Sequence, residues 1–133
     1  MLDVDRFKQF NDTWGHPEGD RVLTALGRLL IHALRGEDVA CRYGGEEFVI
    51  ILHQADRKTA MDAAERIRAG FAEIPFQPVR GKPVFMTVSI GVAQWRPDEE
   101  FASLLMRADQ ALYEAKQAGR NRVRGADPVS VRK

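Results

Sequence analysis

Apolar residues recur along this chain with two periods, and the switches between them mark out the elements. Met1 to Val4 reads as the end of a short strand, followed by loop to Gly19. From Asp20 the apolar positions Val22, Leu26, Leu29 and Ala33, with Leu23, Leu30 and Leu34 beside them, recur at helical spacing. Gly36, after Arg35, suits the carboxyl cap of that helix. Val39, Cys41 and Tyr43 alternate as a strand does, Gly44-Gly45 turns, and Phe48 to Leu52 runs apolar as a buried strand. Ala60, Ala64, Ile67, Phe71 and Ile74 describe the cleanest amphipathic helix, ended by Pro75 and Pro78. Val84 to Ala93 alternates as one further strand. A last helix carries Phe101, Leu104, Leu105, Ala108, Leu112 and Ala115, stops near Gly119, and leaves Val123 for a short final strand.

The order β-α-β-β-α-β-α-β predicts an α+β fold whose first six elements match the ferredoxin-like unit, helices packed on an antiparallel sheet. A right-handed crossover leaves a gap between its two parallel strands, and the third strand fills it antiparallel to both. The Gly44-Gly45 turn is therefore expected at the same edge as the carboxyl end of the first strand, Leu2-Asp3-Val4-Asp5. Two acidic clusters should meet there.

Composition narrows the setting. A chain of 133 residues with 44% apolar and 29% charged content suits one soluble globular domain. A formal net charge of +1 gives no electrostatic footprint for nucleic acid or anionic lipid. The single cysteine, Cys41, rules out an intrachain disulfide, fits a reducing compartment, and reads as core. Trp14 and Trp95 read as packing residues. No apolar run has the length of a membrane span and no signal-peptide pattern opens the chain, so a cytoplasmic domain is expected.

The chemistry centres on "RYGGEEF", Arg42 to Phe48. Two adjacent carboxylates at a hairpin raise each other's pKa and repel unless a cation or donor sits among them. Either both point into water or at least one holds a metal. Asp3 and Glu46, if they converge, offer hard oxygen ligands for Mg²⁺, which takes one or two carboxylates plus substrate phosphates. The Val4 carbonyl could add a third oxygen. The amides of Asp5-Arg6-Phe7-Lys8 and the Lys8 ammonium could cradle phosphate. Lys116 and Arg120, four apart on one helical face, could form a second phosphate clamp. Carboxylates for metal with cationic donors for phosphate describe nucleotidyl transfer. Each motif taken singly also fits a solvated surface, and Lys116 and Arg120 near a helix end also fit simple dipole complementation.

Four segments together carry a resemblance: "LDVDRFKQFNDTWGHPEGD" (2–20), "RYGGEEF" (42–48), "MTVSIGVA" (86–93) and "ADQALYEAKQAGRNRV" (108–123). In order and spacing they resemble the GGDEF domains of bacterial diguanylate cyclases. The resemblance implies a palm-type nucleotidyl-cyclase sheet flanked by helices, and a reaction in which two GTP become cyclic di-GMP and two pyrophosphates. It implies Mg²⁺ or Mn²⁺ on Asp3, the Val4 carbonyl and Glu46, with Glu46 or Glu47 near the attacking 3′-hydroxyl. Asn11 and Asp20 match the pair that reads the guanine edge, Phe7 and Lys8 the phosphate loop, and Lys116 and Arg120 the distal phosphate ligands. Arg35-Gly36-Glu37-Asp38 matches an RxxD site for inhibitory product, which Arg66 could complete. The reaction further implies a two-fold homodimer, each partner holding one GTP. The likeness covers residues 1–125, without the helix and the D-x-L-T-G-L-x-N-R segment that precede the first strand in the family; 126–133 is left as a tail. Competing expectations are a module that senses cyclic di-GMP or GTP without turnover, and a ferredoxin-like interaction domain whose acids do nothing.

Overall fold

Leu2 and Val4 are almost wholly shielded from solvent, and the strand that holds them organises the sheet. A computed structural model of the chain describes residues 1–127. The elements run β1 (Leu2–Val4), α1 (Phe7–Trp14), α2 (His16–Ala33), β2 (Val39–Arg42), β3 (Glu47–Ile51), α3 (Arg57–Ala72), β4 (Phe76–Val79), β5 (Lys82–Val84), β6 (Val88–Val92), α4 (Phe101–Gln117) and β7 (Val123–Gly125). Five strands form one sheet in the order β2-β3-β1-β6-β7, and β4-β5 make a separate hairpin. β1 is antiparallel to both neighbours, β2 is antiparallel to β3, and β7 joins β6 in parallel. The expected α+β, ferredoxin-like arrangement is present, with β3 between the parallel pair β1 and β2.

Alternation along β1 divides the molecule into two layers. Leu2 and Val4 face one side with Phe48, Val88, Ile90 and Val92, where Val22, Leu26 and Leu30 of α2 and Ile67 and Phe71 of α3 close the main core. Burying a side chain such as Phe71 is worth roughly 1.5–3 kcal/mol. Asp3, Ser89 and Gly91 face the other side, under α4. Gly91 is obligatory there, because a Cβ would lie 2.2 Å from the Ala108 carbonyl oxygen and 2.3 Å from the Leu112 amide. Ala108, Ala111, Leu112 and Ala115 form the buried face of α4. Small residues let the helix lie directly on β6.

Local chemistry accounts for several departures from expectation. The segment read as loop up to Gly19 contains α1 and the start of α2, separated only by Gly15 at φ 93°. Phe7 and Phe10 anchor α1 in the core, a contact too short in period to show in sequence. α2 ends at Ala33 with Leu34 extended, and Gly36 has no positive φ, so it is not the cap. The single strand expected from Val84 to Ala93 is two strands, because Phe76–Val79 turns at Gly81 (φ 82°) and pairs with Lys82–Val84. Cys41, read as core, is exposed on the edge strand β2. Trp14 and Trp95 are exposed as well. Of the segment read as a tail, Ala126 donates its amide to the Val92 carbonyl (2.7 Å) and accepts from Arg57 Nε (3.0 Å); residues 128–133 lie outside the described residues.

The amino end of α4 is held by a polar knot. Glu99 accepts from Arg107 Nε (2.8 Å) and Nη2 (2.7 Å), from Ser103 Oγ (3.0 Å) and from the Arg96 amide (3.1 Å). Its side chain is 6% exposed. The Arg107 guanidinium, ahead of the Arg96 and Ser103 donors, pulls the Glu99 carboxyl down to about 2. A depressed carboxylate stabilises the fold above its ordinary pKa, 4.5, and that contribution fades as pH falls from there through 2. Glu99→Gln should therefore cost roughly 1.5–3 kcal/mol at pH 7, as loss of hydrogen bonds to a charged group does. In thermal melts followed by circular dichroism, the gap from wild type should narrow steadily from pH 4.5 to pH 2.

Candidate functional site

The β1–β3 register puts Asp3 opposite Glu47, and the Val4 amide donates to the Glu46 carbonyl at 3.2 Å. The complementary bond, from the Glu46 amide to the Val4 carbonyl, is not formed. So the carboxyl end of β1 and the tip of the β2–β3 hairpin meet at one sheet edge, as the topology predicts. The hairpin is clamped from inside. Tyr43 and Gly44 amides both donate to the Glu47 carbonyl (2.7 and 3.2 Å), and the Arg42 guanidinium donates twice to the Gly45 carbonyl (3.0 and 2.7 Å). Neither Gly44 nor Gly45 has a positive φ. A Cβ on Gly45 would touch nothing and one on Gly44 would meet only Glu47 Oε1 at 3.4 Å. The fold does not demand these glycines.

Asp3 is 6% exposed and its Oδ2 lies 2.7 Å from the Lys116 ammonium. Burial pushes its carboxyl up to about 6; the Lys116 hydrogen bond and charge oppose that rise, while Glu46 and Glu47 add to it. A buried anion that is crowded by two further carboxylates and held by one ammonium is a place for cations. Among the described residues no three acidic, histidine or cysteine side chains gather as a complete metal cage. Mg²⁺ does not need one: one or two carboxylates, a carbonyl and ligand phosphates complete its shell. Asp3, the free Val4 carbonyl and Glu46 fit that requirement.

Two residues further along the same strand face, Asp5 has a different fate. Its Oδ1 accepts from Ser89 Oγ (2.7 Å) and its Oδ2 from Thr87 Oγ1 (2.7 Å) and the Asn121 amide (3.0 Å). Asp5 is thus a structural tie between β1, β6 and the chain leaving α4. That exit is tightly wound. Arg120 N donates to the Ala115 carbonyl (3.0 Å) and Gly119 N to that of Lys116 (3.3 Å), a Schellman closure. Gly119, Arg120 and Asn121 all have positive φ, and Arg68 of α3 steadies the Asn121 side chain at 2.8 Å. Arg120 is consequently off the helix, which ends at Gln117; it does not share a helical face with Lys116 as the spacing suggests. Asp5, Thr87, Ser89 and Asn121 lie within the segments that carry the family resemblance but have no side-chain role assigned from sequence, and Arg68 lies outside those segments. The one available signal was the D-x-D alternation, which puts Asp3 and Asp5 on one face of β1.

The other expected residues fall into three groups. Phe7 is buried, while Lys8 is exposed and pairs with Asp12 at 3.1 Å. α1 starts after Arg6, a non-glycine residue at φ 56°, and no side chain caps its first amides. Asn11 on α1 packs against Gly19 of α2: a Cβ there would lie 1.8 Å from Asn11 Oδ1. That oxygen is buried without a hydrogen-bond partner among the described residues, and Asp20, which follows Gly19 in the chain, is exposed. Arg35 and Asp38 bound a shallow hollow with Ile31, Leu34 and Ala40. There both Asp38 oxygens already accept backbone amides, from His53 (2.8 Å) and Arg35 (2.9 Å), which hold its carboxyl below the ordinary range. Arg66, exposed on α3, is not among the lining residues of that hollow. A cleft of about 580 Å³ lies elsewhere, between β3, β6, α3 and α4, and is lined by apolar residues such as Ile50, Leu52, Val92 and Leu105. It contains none of these groups.

The family described as "Diguanylate cyclase, GGDEF domain" matches residues 1–122. The chain belongs to the GGDEF family. It is 47% identical over 124 residues to Diguanylate cyclase A of Treponema denticola, a match covering 92% of this chain and 33% of the relative. Diguanylate cyclase DgcM of Escherichia coli K12 is 47% identical over 126 residues, covering 95% and 30%. The chain thus spans about a third of these curated GGDEF relatives. Among solved structures, the GGDEF domain of DgcB from Caulobacter crescentus in complex with c-di-GMP superposes with a TM-score of 0.89 at 38% identity, covering 94% of this chain and 74% of that one. The active GGEEF domain of a diguanylate cyclase from Vibrio cholerae gives 0.88 at 38% identity, covering 95% and 80%.

Stability should sort the acids of this GGDEF edge into structural and functional ones. Asp5→Ala strips acceptors from the buried Ser89 hydroxyl and the Asn121 amide, and should cost about 3 kcal/mol or more in urea denaturation. Glu46→Ala removes one of three crowded carboxylates and should be neutral, or stabilising by roughly 0.5 kcal/mol. Equal losses for the two variants would contradict the division.

Proposed function

We propose that this domain condenses two GTP into cyclic di-GMP with release of two pyrophosphates, as a diguanylate cyclase. The observation that carries the reading is the convergence of Asp3 with the Glu46–Glu47 hairpin tip beside Lys116, in a chain of the GGDEF family. Asp3, the Val4 carbonyl and Glu46 would hold Mg²⁺ or Mn²⁺. Such a metal ion, when bound, lowers the pKa of a hydroxyl and neutralises charge on a leaving pyrophosphate. The chain's own groups do the rest. The uncapped first turn of α1, at Phe7 and Lys8, directs amides at phosphate oxygens. Lys116 and Arg120 neutralise phosphate charge from the other side.

Base choice rests on Asn11 and Asp20. An amide and a carboxylate together satisfy guanine O6 and its N1–H and N2–H₂ groups, and the unpartnered Asn11 Oδ1 is an acceptor in want of a donor. The 3′-oxygen of one GTP attacks the α-phosphorus of the other as the bond to pyrophosphate breaks, and Glu46 or Glu47 stands near that hydroxyl to take its proton. One domain holds one GTP, so two domains face each other across a two-fold axis. Product returns to Arg35, Asp38 and Arg66 and limits the reaction.

Two measurements test this reading. Glu46→Gln keeps the size of the side chain and removes its charge. Chromatography of reactions with GTP and Mg²⁺ should show cyclic di-GMP formation lowered by roughly 100-fold or more, with an unchanged circular dichroism spectrum; retained turnover would remove Glu46 from the reaction. For the product site, Arg35→Ala deletes a planar fork suited to guanine edges and phosphates. Titration calorimetry should show cyclic di-GMP affinity falling at least tenfold while the initial rate holds. Unchanged affinity would leave Arg35 and Asp38 as the stop of α2 and nothing more.

A further inference from the structure

Lys116 has two claims on it: it is expected at the phosphates, yet it stands on Asp3. We infer that Lys116 is an interlock for the site, a tethered cation that a divalent metal must displace from Asp3 and that bound phosphate then receives. This rests on the metal reading given above and adds an order to it. Several observations carry it. The contact is short, 2.7 Å, and joins residues from β1 and α4 that are 113 positions apart. Asp3 cannot swing away, since β1 is paired on both sides at this residue, with Glu47 and with Ser89. Its side chain is 8% exposed, so the ammonium takes up much of the little access there is.

Lys116, by contrast, is free to leave. Its side chain is 30% exposed, on the last turn of α4, and a lysine stem is a flexible four-carbon arm ending in a compact charge. Two cations cannot share one buried carboxylate without strong repulsion. A metal ion arriving alone must therefore expel Lys116 into solvent with no new partner. A metal ion arriving with a nucleotide expels it onto a phosphate, where the charge is neutralised again. The interlock makes metal and nucleotide bind as a unit and keeps the Asp3 carboxylate paired between turnovers.

The test needs no turnover. In calorimetric titrations with Mn²⁺ alone, Lys116→Met should bind the ion at least tenfold more tightly than wild type, and Asp3→Asn should abolish the site in both backgrounds. Arg120→Met removes the same charge four residues further along the chain, from a side chain that makes no contact with Asp3, and should shift Mn²⁺ affinity less than about threefold. A second readout follows Lys116 directly, by reductive methylation and mass spectrometry with exposed Lys8 as internal reference. Labelling of Lys116 should be slow in wild type, faster when Mn²⁺ is added, and fast without metal in Asp3→Asn. Equal Mn²⁺ affinity in wild type and Lys116→Met, or an equal gain from Arg120→Met, overturns the interlock while leaving the metal site standing. Mn²⁺ binding to neither wild type nor Lys116→Met overturns both.

Discussion

Everything at the working edge hangs on three residues of β1 paired on both sides. Because β1 lies between β3 and β6, its two-residue alternation is imposed on the whole molecule. Leu2 and Val4 enter the main core, and Asp3 and Asp5 are driven to the opposite face under α4. A slip of one residue would put carboxylates among Leu26 and Ile67 and leave Leu2 beneath Lys116. The core therefore enforces the position of the acids. Hydrophobic burial on one face fixes the electrostatics of the other.

Two aspartates on that face show how environment assigns roles. Asp5 is enclosed by three donors and serves as a tie; Asp3, two residues earlier, meets one ammonium and two further acids. The difference lies in the partners that β6 and the α4 exit bring. Ser89 and Thr87 point hydroxyls at Asp5, and the left-handed run from Gly119 to Asn121 turns an amide toward it. Backbone strain of order 1–3 kcal/mol at each of the non-glycine residues, Arg120 and Asn121, is offset where the turn is bonded, at Asp5 and at Arg68.

Much of this was legible in the sequence, and the reasons for success and failure are physical. Long amphipathic helices such as α3 and α4 announce themselves by period, and the crossover rule placed Gly44-Gly45 beside the end of β1. The α1 helix was hidden because two phenylalanines three apart do not make a readable period in eight residues. The β4–β5 hairpin was hidden because Pro75 and Pro78 read as the end of a helix and the alternation from Val84 to Ala93 read as one strand, though an edge hairpin tolerates proline. Cys41 was misread because apolar-looking alternation does not say whether a strand is central or at the edge. Nor could spacing reveal that Lys116 rests on Asp3, a contact between opposite ends of the chain. The departure of Arg120 from α4 was within reach, because a helix expected to stop near Gly119 cannot carry the next residue on its face.

Gly44 and Gly45 lead to a different kind of consequence. The chain gains no turn conformation from them and relieves no internal crowding with them. A screen that scores variants by folded yield would rate these two positions permissive, so any strictness found in a screen for activity would report on contacts made outside the chain. The backbone there borders space that the chain itself does not fill.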